Sequence, residues 1–158
     1  MTAYGDLGWS NSTGLFASTA GSNVSPETAM KVSTFFAGVR LLSFVVGRLP
    51  VAIFRNNTRD QDRAHLAYRL LAKRPNSWQT PFRFKQWMFS NVLRWGNSYA
   101  WIIPDGPDPR LEPIHPSKVT PERLTSGAVV YRVESNDSGI PKRIAAEQMM
   151  HWQSPFGD

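Results

Sequence analysis

The sequence contains no cysteine, so it can form neither a disulfide framework nor a thiolate metal site. Long hydrophobic runs are also missing, because the longest, at residues 41–46, is far shorter than the roughly 20 apolar residues that cross a bilayer. The N-terminus has no basic segment followed by an apolar one, so no signal peptide is predicted. The chain has 158 residues, of which 41% are hydrophobic and 19% charged. These values predict one globular domain with a hydrophobic core.

Recognisable catalytic and cofactor motifs are absent as well. The three histidines, His65, His115 and His151, are far apart and have no metal-ligand spacing. Neither glycine-rich phosphate loop, G-x-x-x-x-G-K or G-x-G-x-x-G, occurs. No motif presents a pair of carboxylates, and Ser98 lacks the G-x-S-x-G pattern of a nucleophile elbow. We therefore predict no enzyme, no catalytic, metal-binding or cofactor-binding residue, and no cofactor.

Acidic residues are scarce in one part of the chain. Residues 31–103 contain twelve lysines and arginines against two acids, whereas residues 104–158 contain six against eight. A basic part joined to a mildly acidic part favours a polyanionic partner or self-association between unlike faces. Ordinary solvated arginines explain the same composition, so the alternatives stay open at this point.

The segment of residues 80–103 organises the predicted fold. Thr80 can cap a helix with Pro81 at its first position, and Gly96 is a typical C-terminal stop. A predicted core face lies on this helix at spacings of three and four residues, formed by Phe84, Trp87, Met88 and Asn91. Residues 98–103 then predict a buried strand rich in aromatic and β-branched side chains.

A long helix is predicted earlier in the chain, from Ser25 to Gly47. Serine, proline and an acid at its start form a strong N-terminal signal. Its apolar residues recur at helical spacing and predict a core face: Val32, Phe35, Phe36, Val39, Leu42 and Val46. Gly38 lowers the stability of a helix interior, so we expect another backbone to approach closely there. Residues 49–54 follow as a predicted strand.

Shorter elements complete the pattern. Residues 64–73 predict a helix that buries Leu66, Leu70 and Leu71 and breaks before Pro75. Further strands are predicted at residues 110–114, 128–133, 140–144 and 149–153, with a turn at residues 136–139 and one helical turn at residues 145–148. Because helices come first and short antiparallel strands later, the sequence predicts an α+β fold, with N-terminal amphipathic helices packed on a small, mainly antiparallel sheet.

The N-terminal residues 1–23 are rich in glycine, serine, threonine and asparagine and have no apolar period. This composition predicts a flexible arm. Trp9, Leu15 and Phe16 are unusual in a linker, and they leave two alternatives, docking on a neighbour or loose packing on the chain's own body. Residues 24–158 are predicted to form the α+β domain.

Four signatures follow one another in a fixed order. They are a helix leading to a Leu-Pro segment, a double-leucine helix ending in Arg-Pro-Asn, a Trp-Gly-Asn-Ser-Tyr corner and a Leu-Glu-Pro-Ile-His-Pro-Ser-Lys-Val segment, at residues 37–50, 70–76, 95–99 and 111–119. A weaker fifth joins residues 147–151 to Gly157 and Asp158. In order and spacing they resemble the N-terminal, wing-forming part of tailed-bacteriophage portal proteins of the HK97-like family, over residues 24–158.

The resemblance implies a structural role. Portal proteins of this family form a homo-oligomeric ring, usually a dodecamer, at one capsid vertex, where DNA is packaged and later ejected. The implied partners are the major capsid protein, the terminase motor, the head–tail adaptor and double-stranded DNA that passes non-specifically, with no membrane. The implied location is the virion, and the host cytoplasm during assembly. The resemblance stops about where the family continues into the clip and stem regions, so we expect a fragment of the ring subunit.

The basic part of the chain supports an alternative of a different class, a free-standing basic nucleic-acid-binding protein. Residues 82–87 mix aromatic and basic side chains, which in single-strand binders stack bases and hold phosphates. The helical period instead places Phe84 and Trp87 on one side and Arg83 and Gln86 on another. It therefore predicts core packing with a solvated basic edge.

Overall fold

The structure, a computed structural model, describes residues 16–17, 23–55, 59–104, 109–134 and 139–155. The helices in these ranges are α1 (Pro26–Ala29), α2 (Ser33–Arg48), α3 (Leu66–Tyr68), which continues as a π-helical turn at Arg69–Lys73, and α4 (Pro81–Trp95). The strands are β1 (Phe16–Ala17), β2 (Asn23–Val24), β3 (Asn97–Ile103), β4 (Arg110–Ile114), β5 (Val119–Arg123), β6 (Val129–Val133), β7 (Arg143–Ala145) and β8 (Met149–Gln153). Short 3₁₀ turns lie at Pro116–Lys118 and Ala146–Gln148.

The strands form small antiparallel sheets. β1 pairs with β2 as a two-residue ladder. The first three-stranded sheet has the order β4-β3-β8, and the second has the order β5-β6-β7. Every pairing within these sheets is antiparallel. The predicted α+β class, with helices preceding a mainly antiparallel β region, is confirmed, although the strands divide between separate sheets.

Helix α4 begins and ends as its sequence predicts. The Thr80 hydroxyl accepts a hydrogen bond from the Arg83 amide at 3.3 Å, and Pro81 occupies the first helical position. Gly96 ends the helix with a φ of +73°, a left-handed conformation that glycine adopts without a Cβ clash. The chain enters β3 at the next residue, so one glycine corner joins the helix to the central strand of the first sheet.

One hydrophobic core lies between α4 and the first sheet. Phe84 and Met88 have no exposed surface and pack with Leu70, Ala100 and Leu111. Trp87 is only partly buried at the edge of this cluster. The core face predicted for α4 is therefore confirmed, with its centre at Phe84 and Met88.

A second core joins the two three-stranded sheets. Its buried residues come from all six of their strands: Tyr99, Ile114, Val119, Tyr131, Val133, Ile144 and Met149. Trp101 and Ile140 pack against its margin. Because this cluster draws on both sheets, the sheets bury their facing sides against each other.

The Pro75-Asn76 corner connects the helical part to β4. The Leu111 amide donates to the Pro75 carbonyl at 2.7 Å, and Asn76 Nδ2 donates to the Leu111 carbonyl at 3.0 Å. Asn76 Oδ1 accepts from the Gln79 amide at 2.7 Å. Asn76 is 4% exposed, and these hydrogen bonds satisfy its buried side-chain donor and acceptor. The helix break predicted here is confirmed.

The prediction of one continuous helix from Ser25 to Gly47 is wrong. Ser25 and Thr28 form a capping box around the short helix α1. The Lys31 amide then bonds to the Thr28 carbonyl in a tight turn, and Val32 adopts an extended conformation with ψ of 115°. This extended residue interrupts the helix, and α2 starts at Ser33.

The predicted strand at residues 49–54 is also absent. Phe54 makes an isolated bridge with Gln61, and the preceding residues join no ladder. Pro50 has no amide proton, and the Leu49 carbonyl accepts a hydrogen bond from Lys85 Nζ. At the start of this segment one backbone donor is therefore missing and one backbone acceptor is already used.

The later strands agree with their predictions to different degrees. β4, β6 and β8 are confirmed, and β4 is an edge strand as expected from its proline. β7 pairs with β6 as expected but starts only at Arg143. β5 was not predicted, because Pro121 and its charged neighbours hide the strand pattern. Most of the predicted turn at residues 136–139 lies outside the described residues.

The structure describes only part of the predicted N-terminal arm. Of the predicted arm at residues 1–23, the structure describes residues 16–17 and 23, which belong to β1 and β2. The remainder of the arm, including Trp9 and Leu15, lies outside the described residues. Its predicted flexibility therefore stays a prediction.

The predicted close approach at Gly38 is not seen among the described residues. A Cβ placed on Gly38 would have no described atom within 4 Å. The close contact is instead at Gly47, where a Cβ would lie 3.1 Å from ring atoms of Phe82 and 3.2 Å from its carbonyl oxygen. Gly47 therefore lets α2 approach the first turn of α4.

We predict that Phe84→Ala destabilises the domain by about 3–5 kcal/mol, as truncation of a fully buried aromatic residue does. Phe54→Ala is the matched control, because Phe54 is 55% exposed and its loss should change stability by less than about 1 kcal/mol. Chemical denaturation monitored by tryptophan fluorescence measures both. Equal effects of the two substitutions would show that α4 does not carry the core.

The two glycines of α2 give a second matched pair. Gly47→Ala should lower the free energy of unfolding by about 1–3 kcal/mol, because the added methyl group meets Phe82. Gly38→Ala should raise it by about 0.5–1 kcal/mol, because alanine is the better helix former and space is free. Thermal melting in dilute solution compares them. A stabilising Gly47→Ala would contradict the close contact between α2 and α4.

Candidate functional site

The three histidines do not form a site together. His65 Nδ1 accepts a hydrogen bond from the Ala67 amide at 3.1 Å and caps α3. His115 Nδ1 accepts from the Ser117 amide at 3.3 Å at the start of a 3₁₀ turn, and its ring packs edge-on against Trp95. Burial, followed by the nearby Arg94, lowers the pKa of His115. Both side chains therefore stabilise local backbone structure.

His151 joins the two sheets through a packed polar cluster. Its Nε2 lies 2.8 Å from Asn97 Oδ1, and its Nδ1 lies 3.2 Å from the Tyr131 hydroxyl. The ring stacks on Tyr99 with centroids 4.5 Å apart. Burial lowers the pKa of His151 and raises those of Tyr131 and Tyr99, so all three groups favour their neutral forms. The cluster supports packing and hydrogen bonding between β3, β6 and β8.

The described residues contain no group of three or more histidines, cysteines or carboxylates that could hold a metal ion. No helix in the described ranges is long and apolar enough to cross a bilayer. The predicted lack of site residues stays a prediction, since the structure carries no test of activity.

The aromatic and basic segment at residues 82–87 does not present a base-stacking surface. Phe84 is fully buried, and Phe82 packs edge-on against Phe44 at 5.5 Å. Lys85 is 8% exposed, its Nζ donates to the Leu49 carbonyl, and burial lowers its pKa. Arg83 is exposed. Core packing with a basic edge, as predicted, describes this segment, except that Lys85 belongs to the buried side.

The most unusual surface of the described residues belongs to helix α2. Of its sixteen residues, Val39, Ser43 and Gly47 are buried, at intervals of four, and this narrow row faces α4. The apolar residues around the rest of the helix are largely exposed: Phe35, Phe36, Leu41, Leu42, Phe44 and Val45. The predicted core face is therefore wrong for Phe35, Phe36 and Leu42, and also for Val32, because these residues stay exposed while α4 packs against the buried row and the Phe44 ring.

Opposite the buried row lies what we call the outer stripe, formed by Gly38, Leu41, Leu42 and Val45 of α2 and by Leu49, the extended residue that directly follows the helix. Its spacing of three and four residues is typical of the buried apolar face of an amphipathic helix. Leu41 is 63% exposed and Leu49 is 55% exposed. A helix that is apolar on nearly every side is typical of the interior of a larger assembly.

Cations border the outer stripe. Arg40 helps line a groove of about 390 Å³ with Phe36, Leu41 and Phe44. The Arg48 guanidinium lies 5.5 Å from the centre of the Phe44 ring. Residues 31–55 contain no aspartate or glutamate. The surface therefore suits a protein partner with apolar and acidic groups.

Comparison with known proteins identifies a family whose model includes helix α2. The family model described as phage portal protein matches residues 33–158, which begins at the first residue of α2. Protein BeeE of Escherichia coli strain K12 is 29% identical over 85 residues, covering 52% of this chain and 54% of that protein.

A solved structure has a similar fold. A chain in the virion of a native gene transfer agent particle superposes with a TM-score of 0.59 at 18% identity, covering 84% of this chain and 37% of that chain. The present chain thus spans about half of BeeE and little more than a third of the virion chain. Since the family model covers most of the sequence, and the α+β fold agrees, the chain belongs to the phage portal protein family.

Proposed function

We propose that the chain is a structural subunit, or a fragment of one, in a portal ring at a capsid vertex. The observation that carries this proposal is the family match over residues 33–158, which covers every described helix and strand from α2 to β8. The exposed apolar surface of α2 supports it, because a subunit that works inside an assembly needs such a surface. The ring is the passage for DNA packaging and ejection.

The partners follow from the same proposal. A homo-oligomeric ring, a dodecamer in the full-length protein, meets the major capsid protein, the terminase motor and the head–tail adaptor. Double-stranded DNA passes through it without sequence-specific contacts. The protein functions in the virion and assembles in the host cytoplasm. The chain needs no catalytic chemistry of its own, since the motor supplies the energy for DNA movement.

The alternative, a free-standing nucleic-acid-binding protein, has less support. The segment that mixes aromatic and basic residues places Phe84 and Lys85 inside the protein. The remaining arginines offer charge alone, which gives weak, salt-sensitive attraction to any polyanion.

We predict that the chain, epitope-tagged in its native genome, co-purifies with DNA-containing particles in a small, fixed ratio to the major capsid protein. A ring occupies a single vertex, so the ratio should be far below one copy per capsid subunit. Quantitative mass spectrometry of purified particles measures it. Absence from the particles, or abundance equal to that of the capsid protein, would contradict the portal proposal.

A salt titration of DNA binding provides the control for the alternative. A portal fragment should bind duplex DNA only weakly at physiological salt, within the range of about 10⁻⁴–10⁻⁶ M that is typical of non-specific binding. Tight binding that falls steeply with salt would favour the nucleic-acid-binding protein instead.

A further inference from the structure

Lys85 carries a buried positive charge that the proposed function does not use. The residue is only 8% exposed, and its Nζ donates to the carbonyl of Leu49, which directly follows α2. A carbonyl at the end of a helix is a favourable partner for an amine, but the ammonium group has further N–H donors. The part of the chain that the structure describes offers Lys85 no carboxylate to pair with. A buried charge without a counter-charge is costly, so this site has room for an anion.

Lys85 lines an open groove of about 420 Å³ between the end of α2 and the start of α4. Arg48 adds a second cation to the lining and Tyr68 adds a phenol, while Pro81 and Phe82 form an apolar wall. Among the described residues that line this groove there is no aspartate or glutamate. Cations beside an apolar wall suit a ligand that carries a carboxylate next to an apolar group.

Extended backbone forms another wall of the groove. Pro50 and Val51 line it, and residues 50–53 join no ladder among the described strands. The peptide groups of an extended segment without a ladder can hydrogen-bond to a chain that lies alongside. Arg48 and Pro50 are exposed at the rim, so the groove is open to a longer chain. These features favour a polypeptide ligand over an enclosed small molecule.

We propose that this groove binds an acidic segment of a partner polypeptide. A glutamate or aspartate of the partner places its carboxylate beside Lys85 and Arg48 and supplies the counter-charge that the described residues do not provide. An adjacent apolar side chain of the partner packs against Phe82 and Pro81. The groove therefore selects a carboxylate and an apolar group together, which neither the outer stripe nor the net charge of the chain requires.

A matched pair of peptides tests the recognition of the carboxylate. The probe is the acetylated and amidated peptide Gly-Phe-Glu-Gly-Gly, and the control has glutamine in place of glutamate. In nitrogen-15 NMR spectra the probe should shift the amide signals of Arg48, Val51, Phe82 and Lys85 saturably at millimolar concentration. The control should bind about tenfold more weakly or less, because it cannot form hydrogen bonds to the cations as a charged acceptor.

Three variants locate the binding site. Lys85→Met keeps an unbranched side chain but removes the charge, and it should weaken binding of the probe about tenfold or more. Arg48→Gln changes an exposed side chain, so it should leave folding intact and weaken binding about threefold. Arg83→Gln is the matched control, because Arg83 is an exposed arginine of α4 outside this groove. Circular dichroism checks folding, and Arg48→Gln carries the comparison if Lys85→Met unfolds.

Three results would each overturn the proposal. Equal binding of the two peptides would show that the groove recognises apolar surface alone. Equal weakening by Arg48→Gln and Arg83→Gln would show general attraction to the basic part of the chain. Binding of benzoate as tight as that of the probe would assign the groove to a small organic acid instead of a polypeptide. All of these results leave the portal function standing, because the groove is argued from its own residues.

Discussion

The burial of Phe84 and Met88 is the interaction on which the rest of the domain depends. These two side chains are fully enclosed between α4 and the first sheet, together with Leu70 and Leu111. The helix can reach the sheet in this way because Gly96 turns the chain within one residue from α4 into β3. β3 then pairs with β4 and β8. The second core packs the β5-β6-β7 sheet against this first sheet. A single glycine corner thus joins α4 to the central strand of the first sheet.

Helix α2, by contrast, buries only a few of its residues in the domain. It contacts α4 through the buried row of Val39, Ser43 and Gly47, where the small size of the last two allows close packing. The Phe44 ring adds an edge-on contact with Phe82 of α4. The remaining apolar surface of the helix is left exposed. The same chain therefore contains a self-sufficient core and a helix whose apolar surface exceeds what the domain can bury. For a member of a family of assembly proteins, that excess is expected at surfaces where subunits meet.

The elements that could be predicted from sequence are those whose signals are local. Thr80, Pro81 and Gly96 define α4 by capping chemistry, and the periodicity of Phe84 and Met88 locates its core face. Strands with a clear alternation, such as β6, follow from the same kind of reasoning.

The predictions that failed all depend on tertiary contacts, which the local sequence does not show. Apolar periodicity in α2 indicates a face that avoids water, but it does not state whether the chain itself or a partner covers that face. Likewise, a glycine in a helix indicates room for a close approach, yet Gly47 contacts Phe82 whereas Gly38 has no neighbour in the part of the chain that the structure describes. β5 was not predicted because Pro121 disguises its strand pattern. Its pairing with β6 depends on tertiary contacts that the local sequence does not show. The α2 surface was thus visible in sequence as hydrophobic, and only the fold reveals it as exposed.

Helix α2 is held in the single chain by a narrow contact with α4, and we expect a partner to cover its remaining apolar surface. Hydrogen exchange measured by mass spectrometry on dilute protein and on self-associated protein tests it most directly. In dilute solution the amides of α2 should exchange about tenfold faster or more than those of α4, because local opening costs less where fewer apolar contacts are buried. On association the α2 amides should slow markedly, while those of α4 change little. Equal protection of α2 and α4 in the dilute monomer, with no change on association, would contradict the account.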